Sequence, residues 1–248
     1  MILCLDAGNT RLKWGLHDGD AWLAQGACAH VDCAGLVAGI PAGCTRILAC
    51  NVAGDTVAAH IKTLAASLNL PLAWFRSTAA CCEVTNGYAN PSQLGADRWA
   101  ALIGARRFHA GPALVVTAGT ATTIDLLTAA GHFAGGLILP GLELMRQALA
   151  RNTAGLPAAQ GTYCDVPTNT DDAIVSGILY ATLGAIERMA LRLSPTTTET
   201  DFLCVLSGGS ADLIKPHLQL PHLHIEHLTL EGLARATSMP PADGHYFG

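Results

Sequence analysis

Two segments of like pattern, 111 residues apart, set the tightest limit on how this chain folds. The first runs Leu3-Cys4-Leu5-Asp6-Ala7-Gly8-Asn9-Thr10-Arg11-Leu12-Lys13-Trp14. The second runs Leu114-Val115-Val116-Thr117-Ala118-Gly119-Thr120-Ala121-Thr122-Thr123-Ile124-Asp125. Aligned on Ala7-Gly8 and Ala118-Gly119, they bring Asp6 onto Thr117. Each reads as an apolar strand, a tight glycine turn with hydroxyl or amide side chains, and a second strand. A single hairpin of this kind also reads as an ordinary β-turn. Two, near the starts of two half-length units, predict an internal duplication with the turns set symmetrically about a cleft.

Turns of this composition suit phosphate. Glycine lets the backbone approach a ligand and leaves N–H groups to point at it. Asn9, Thr10, Thr120 and Thr122 add short polar groups, and Lys13 adds a positive charge on a flexible stem. Asp6, at a strand end, suits a hydrated Mg²⁺, which binds through few carboxylates and keeps its waters. Facing each other, two such hairpins would grip a nucleoside triphosphate from both sides.

Half of the 248 residues are apolar and 13% are charged, enough for a substantial core. A net charge of −5 with no basic run argues against nucleic-acid binding. The 9 cysteines, an odd number without a Cys-x-x-Cys pair, suit reduced thiols in a cytoplasmic protein. No secretory leader is expected, because Asp6 interrupts the first apolar run. No uncharged apolar stretch has the length of a membrane span. His222, His224 and Glu226 would share one face of a short strand, but no second cluster completes a metal shell, and a solvated edge strand is the expectation.

Periodicity predicts strands at Ile2–Ala7, Leu12–His17, Ala21–Ala27, Arg46–Val52 and Leu70–Phe75 in the first half. Helices are expected at Cys33–Ala38, at Asp55–Leu68 through Val57, Ile61, Leu64 and Leu68, and from about Ser92 to Phe108. Residues 76–92 read as irregular loop. The second half repeats the scheme, with strands at Ala113–Thr117, Thr122–Leu127, His132–Leu139, Phe202–Leu206 and His222–Glu226. Its helices are expected at Leu142–Ala150, Asp171–Leu193, from Ala211, and at Leu230–Thr237. Gly155–Pro167 reads as loop, Thr196–Thr200 as a polar linker, and the stretch from Pro240 to Gly248 as a tail. The expected division is 1–110 and 111–248.

These motifs resemble those of the type III pantothenate kinases, within the acetate kinase, sugar kinase, Hsp70 and actin superfamily. The segment Asp6-Ala7-Gly8-Asn9-Thr10-Arg11-Leu12-Lys13 resembles the family's first phosphate motif, and Thr117–Thr123 its second. Gly95-Ala96-Asp97-Arg98 is similar to its Gly-x-Asp-Arg motif, preceded by Tyr88 and Pro91 at the family's spacing. The resemblance implies an α/β fold of two duplicated ribonuclease H-like βββαβαβ halves. It implies ATP-dependent phosphorylation of pantothenate to 4′-phosphopantothenate, at the start of coenzyme A synthesis, by a homodimer.

Residue by residue, the resemblance makes Asp97 the acceptor of the hydroxyl proton. Read alone, Asp97 serves equally as an acid complementing a helix N-terminus. Arg98 would hold the acidic substrate or the transferred group through its forked donors, against the plainer reading of a surface helix arginine. Tyr88 would contact pantothenate, or simply pack as a loop aromatic. Asn169-Thr170 resembles a substrate-binding pair delivered across the dimer interface, while Thr170 also reads as an N-cap before Asp171 and Asp172. Ser207-Gly208-Gly209-Ser210 resembles the superfamily's adenosine turn, and also reads as a plain strand-to-helix turn. Gly135-Gly136 and Pro140-Gly141 are expected to serve close backbone approach.

One position departs from the pattern. The family carries an acid where this chain has Thr117, and there the acid helps hold a monovalent cation, potassium or ammonium. A neutral hydroxyl lacks that charge, so the cation site is weakened or lost. Asp6 is then the main acidic anchor for Mg²⁺, with Asp125 a substitute of open direction along its strand. Two other activities stay compatible with the motifs: a superfamily kinase acting on a sugar or carboxylic acid, and a catalytically silent nucleotide-binding regulatory protein.

Overall fold

The computed structural model describes residues 1–156, 159–193 and 202–238. The expected linker at Thr196–Thr200 and the tail from Pro240 lie outside the described residues, as do two positions of the Gly155–Pro167 loop. Contacts group the chain into two units. One holds residues 1–110 and 131–133 with the helix that follows His227; the other holds 111–130 and 134–226.

In the first unit, β1 (Ile2–Ala7), β2 (Leu12–His17), β3 (Trp22–Cys28), β4 (Arg46–Asn51) and β5 (Leu72–Trp74) form a sheet ordered β3-β2-β1-β4-β5. The first three strands run antiparallel, and β4 and β5 run parallel to β1. Consecutive residues Leu3, Cys4 and Leu5 are all buried, as a strand covered on both faces requires. Helix α1 (Asp55–Leu68) covers one face, packing Val57, Ile61 and Leu64 onto Leu3, Leu5, Leu12 and Ile47. It ends where Asn69 turns left-handed (φ 52°). By alternation, Cys4 and Asp6 point to the other face.

That face meets helices α2 (Ala96–Phe108) and α6 (Leu228–Ser238). The two helices cross with almost no side chain between them. A Cβ on Gly232 would collide with the Ala100 carbonyl, and one on Gly104 with the Leu228 carbonyl.

Some expected boundaries move. The short helix expected over Cys33–Ala38 is a longer 3-10 helix, His30–Gly39. The helix expected from Ser92 begins at Ala96, because Pro91–Gln93 is a separate 3-10 turn capped by Asn90. The stretch expected to be irregular contains a hairpin of β6 (Ala80–Cys81) and β7 (Val84–Asn86). Residues 132–133, at the start of the next strand group, pair parallel with β7.

In the second unit, β8 (Ala113–Ala118), β9 (Ala121–Leu127), β10 (His132–Pro140), β11 (Leu203–Ser207) and β12 (His222–His224) are ordered β12-β11-β8-β9-β10. The strand β8 runs antiparallel to β9 and parallel to β11, which runs parallel to β12. The order, and the directions of β8, β9, β11 and β12, thus repeat the first sheet, and the fold is a duplicated ribonuclease H-like α/β architecture. Helices α3 (Leu142–Asn152), α4 (Thr170–Ala190) and α5 (Ala211–Ile214) complete this unit. Ile174, Ile178, Leu183 and Ile186 of α4 pack on Leu114, Val116 and Ile124 of the sheet. By length and composition alone α4 could cross a membrane; its apolar face is instead part of this core.

Candidate active site

In the first unit the strand register sets three chemically distinct side chains abreast. Asp6 pairs with Lys13 across β1–β2 and with Cys50 across β1–β4. Partners at one register level share a face. Onto that face α2 brings Asp97 and α6 brings Thr229. Asp6 is 7% exposed. Burial pushes its carboxyl pKa up to about 6; Lys13 opposes the rise, Asp97 adds to it, and a hydrogen bond from Thr229 lowers it. The Cys50 thiol is pushed well above its ordinary range, first by burial, then by Asp6 and Asp97. Two carboxylates within electrostatic reach of each other, one of them buried, suit a further positive charge. A hydrated Mg²⁺ meets that demand, since it needs only one or two protein carboxylates. No group of three or more metal-ligating side chains occurs among the described residues.

Asp97 stands in the first turn of α2, half-buried, and its Oδ1 accepts the Arg98 backbone N–H at 2.8 Å. A Cβ on Gly95 would come within 2.6 Å of that oxygen, so glycine there leaves the carboxylate its room. Arg98 is no surface residue: it is 6% exposed. Its guanidinium lies 5.8 Å from the ring centres of both Tyr88 and Phe133 and donates to Tyr88 Oη at 3.0 Å. Asn86 fixes the start of this group, its Oδ1 accepting the Tyr88 N–H at 3.0 Å.

The Gly8 turn is open. Asn9, Thr10 and Arg11 are exposed and Lys13 half-buried. A Cβ on Gly8 would meet only the Arg11 carbonyl, at 3.8 Å. Neither packing nor backbone conformation demands glycine here, and the turn has room for a ligand to approach closely.

The second unit repeats the geometry with other chemistry. Thr117 pairs with Thr123 across β8–β9 and with Ser207 across β11–β8. The row Ser207–Thr117–Thr123 therefore corresponds to Cys50–Asp6–Lys13. The second hairpin is also tighter, with residues 119–121 between paired Ala118 and Thr122, against residues 8–11 between Ala7 and Leu12. The Gly119 N–H is not free for a ligand; it donates to the Ala121 carbonyl at 3.0 Å. Pro140-Gly141 serves backbone approach, since a Cβ on Gly141 would collide with the Gly119 carbonyl. Gly208 (φ 99°) lies as closely on Ala118, whose carbonyl accepts from Ser210 N–H at 3.0 Å. Thr120 and Ser207–Ser210 thus belong to one braced set of turns.

Asp125 is 1% exposed and, by alternation from Thr123, shares the face of Thr117. Its direction, open in the sequence, is thereby decided. Thr170 is not the cap of α4. Asn169 is, with its side chain accepting the Asp172 N–H at 2.9 Å, which leaves the exposed Thr170 hydroxyl free of that duty.

A family model described as type III pantothenate kinase matches residues 2–192. The chain belongs to the type III pantothenate kinase family. A family member from Aromatoleum aromaticum is 50% identical over 237 residues, covering 94% of this chain and 96% of its own. A solved Campylobacter jejuni structure, described provisionally as a Baf family transcriptional activator, matches with TM-score 0.64 at 18% identity, covering 95% of this chain and 97% of that one. A Sinorhizobium meliloti protein, described provisionally as a 2-dehydro-3-deoxygalactonokinase, matches with TM-score 0.55 at 16% identity over 97% and 100%. At such identities the two structures speak to fold alone.

Residues of this kinase that sequence reading missed are Phe133, Thr229, Asn86 and Cys50. Phe133 and Thr229 reach the site only through pairing and packing far along the chain. Cys50 had a signal, its place beside Asp6 once β4 is laid parallel to β1.

Proposed function

We propose that Asp97 takes the proton from the attacking hydroxyl of pantothenate while the turn after β1 holds ATP. As a type III pantothenate kinase the chain phosphorylates pantothenate to 4′-phosphopantothenate, within coenzyme A biosynthesis. The observation that carries the residue assignment is the convergence of Asp6, Lys13 and Asp97 on one face of one sheet. ATP contacts are assigned to Asp6, Ala7, Gly8, Asn9, Thr10, Arg11, Leu12 and Lys13, and to Thr120. Pantothenate contacts are assigned to Tyr88, Gly95, Ala96, Asp97, Arg98 and Thr170.

Pantothenate carries a carboxylate, and Arg98 offers forked donors held rigid by two aromatic rings. Lys13 attracts the phosphates. Magnesium, when bound at Asp6, offsets charge on the phosphates. Transfer is in-line and needs no covalent intermediate, because positioning and charge stabilisation suffice.

Asp97→Asn is expected to keep ATP binding and lose about 10²- to 10⁴-fold in kcat with pantothenate. Wild-type rates in this variant would refute the base assignment. Turnover of a sugar or acetate by the wild type, with none of pantothenate, would refute the substrate. The resemblance also supports a cytoplasmic homodimer; sedimentation as a 25.7 kDa species would refute the dimer.

A further inference from the structure

The β6–β7 hairpin carries a feature that phosphoryl transfer does not use. Cys81 ends β6 and Cys82 begins the turn into β7. Neighbouring residues of an extended strand point to opposite faces. Here the backbone turns left-handed at Cys82 (φ 49°) and again at Glu83 (φ 65°). The two thiols consequently lie together, sulfur to sulfur at 3.4 Å. Two successive left-handed residues without glycine are costly and persist only where surroundings impose them.

The surroundings do impose them. Arg235 holds Glu83 in an ion pair of 2.5 Å, and the Arg235 carbonyl accepts from Cys82 Sγ at 3.7 Å. Gly131 lies so near the Glu83 carbonyl that a Cβ there would collide. The hairpin runs directly into the assigned substrate residues. Asn86 ends β7, donates to the Thr78 and Pro91 carbonyls at 3.3 and 3.2 Å, and accepts the Tyr88 N–H. Tyr88 accepts in turn from Arg98.

We propose that Cys81 and Cys82 are a reversible dithiol–disulfide modification site that tunes how pantothenate is held. The oxidant is a low-molecular-weight disulfide such as oxidised glutathione. One cysteine thiolate attacks it, forming a mixed disulfide and expelling one thiolate. The second cysteine thiolate then attacks the protein-side sulfur and expels the other half. Two protein thiols lose two electrons and two protons, and the small disulfide becomes two thiols. Closing the bond draws the sulfurs from contact to about 2.05 Å. Adjacent Cα atoms are held about 3.8 Å apart, below the usual disulfide range, so the bond is strained and readily reduced. Access comes from local opening of a hairpin whose strands are only two and three residues long. Redrawing the turn displaces Asn86 and with it Tyr88.

The tuning rests on the assignment of Tyr88 and Arg98 to pantothenate; the modification itself does not, and is read separately by mass. Full-length protein is equilibrated with reduced and oxidised glutathione, digested without reductant and mapped. The peptide holding Cys81 and Cys82 should lose two hydrogens. The pantothenate KM should rise about threefold or more with the ATP KM unchanged, and dithiothreitol should reverse both. Cys82→Ser should keep the basal rate and show neither change. Should that variant fold poorly, a trivalent phenylarsenical on the wild type should bind one per chain at this pair and resist a monothiol. No hydrogen loss, arrest at the glutathione adduct, or no arsenical at this pair overturns the site. So does rate sensitivity that survives Cys82→Ser and vanishes in Cys50→Ser. A disulfide that leaves the pantothenate KM unmoved overturns the tuning.

Discussion

The two units lay the same strands in the same order, yet the equivalent rows across their central strands differ. In the first unit the row is a thiol, a carboxylate and an ammonium: Cys50, Asp6 and Lys13. In the second it is three hydroxyls: Ser207, Thr117 and Thr123. Duplication has kept the backbone, which is what buries strands and orders hydrogen bonds. Within these two rows the charge lies in the first unit only. Under the assignment proposed above, the electrostatic work on phosphates falls to Asp6 and Lys13, and the hydroxyl row carries no charge of its own. Fold is shared and chemistry is local.

The sharpest break in that comparison comes from Lys13. Lys13→Met removes the one cation of the charged row and leaves Asp6 buried without it. A charge-assisted contact with phosphate contributes about 1.5–3 kcal/mol, so kcat/KM for ATP should fall roughly 10- to 100-fold. Steady-state kinetics at saturating pantothenate checks this. A fall below about twofold would mean that the charged row does not meet the phosphates.

Asp6 sharpens the same contrast through pH. Its native pKa, near 6, lies above its ordinary value of 3.8. Below the lower value the carboxyl is protonated in both folded and unfolded chains, and its contribution to stability is fully present. As pH rises through the native value, the folded chain must ionise a buried group, and that contribution is lost. A shift of this size corresponds to roughly 3 kcal/mol at most. In buffer with chelator, the melting temperature should carry a component that falls between about pH 4 and pH 6. Asp6→Asn, which mimics the protonated form, should remove that component. An unchanged profile in the variant would place the titration elsewhere. The hydroxyl row has no such titration.

Much of this was legible in the chain. Helix α1 was bounded at both ends by the spacing of Val57, Ile61, Leu64 and Leu68, because a long amphipathic stripe is a local property. The two hairpins were legible for a similar reason. The β6–β7 hairpin was not, since its turn uses Cys82 and Glu83 where asparagine and glycine would announce a left-handed pair. The cap of α4 is Asn169, one residue before Thr170, because both are capable caps and the chain path decides between them. The aromatic seat of Arg98 was half visible. Tyr88 is near in sequence, but Phe133 arrives through parallel pairing with β7, which no local pattern encodes.

The smallest expected effect tests the neutral row itself. Thr117 is half-buried and stands where Asp6 stands in the other unit. Were the hydroxyl holding a monovalent cation, its removal would cost a charge-assisted contact, about tenfold or more in rate. A lone neutral oxygen is a poor substitute for a carboxylate, and Asp125 supplies a buried acid on the same face. Thr117→Val keeps the shape and removes only the hydroxyl. It should therefore change kcat/KM for ATP by less than about threefold, and replacing potassium with sodium should do no more in the wild type. A tenfold loss in either would give the second unit an ionic role that its side chains conceal, and would make the two rows alike in task despite their difference in charge.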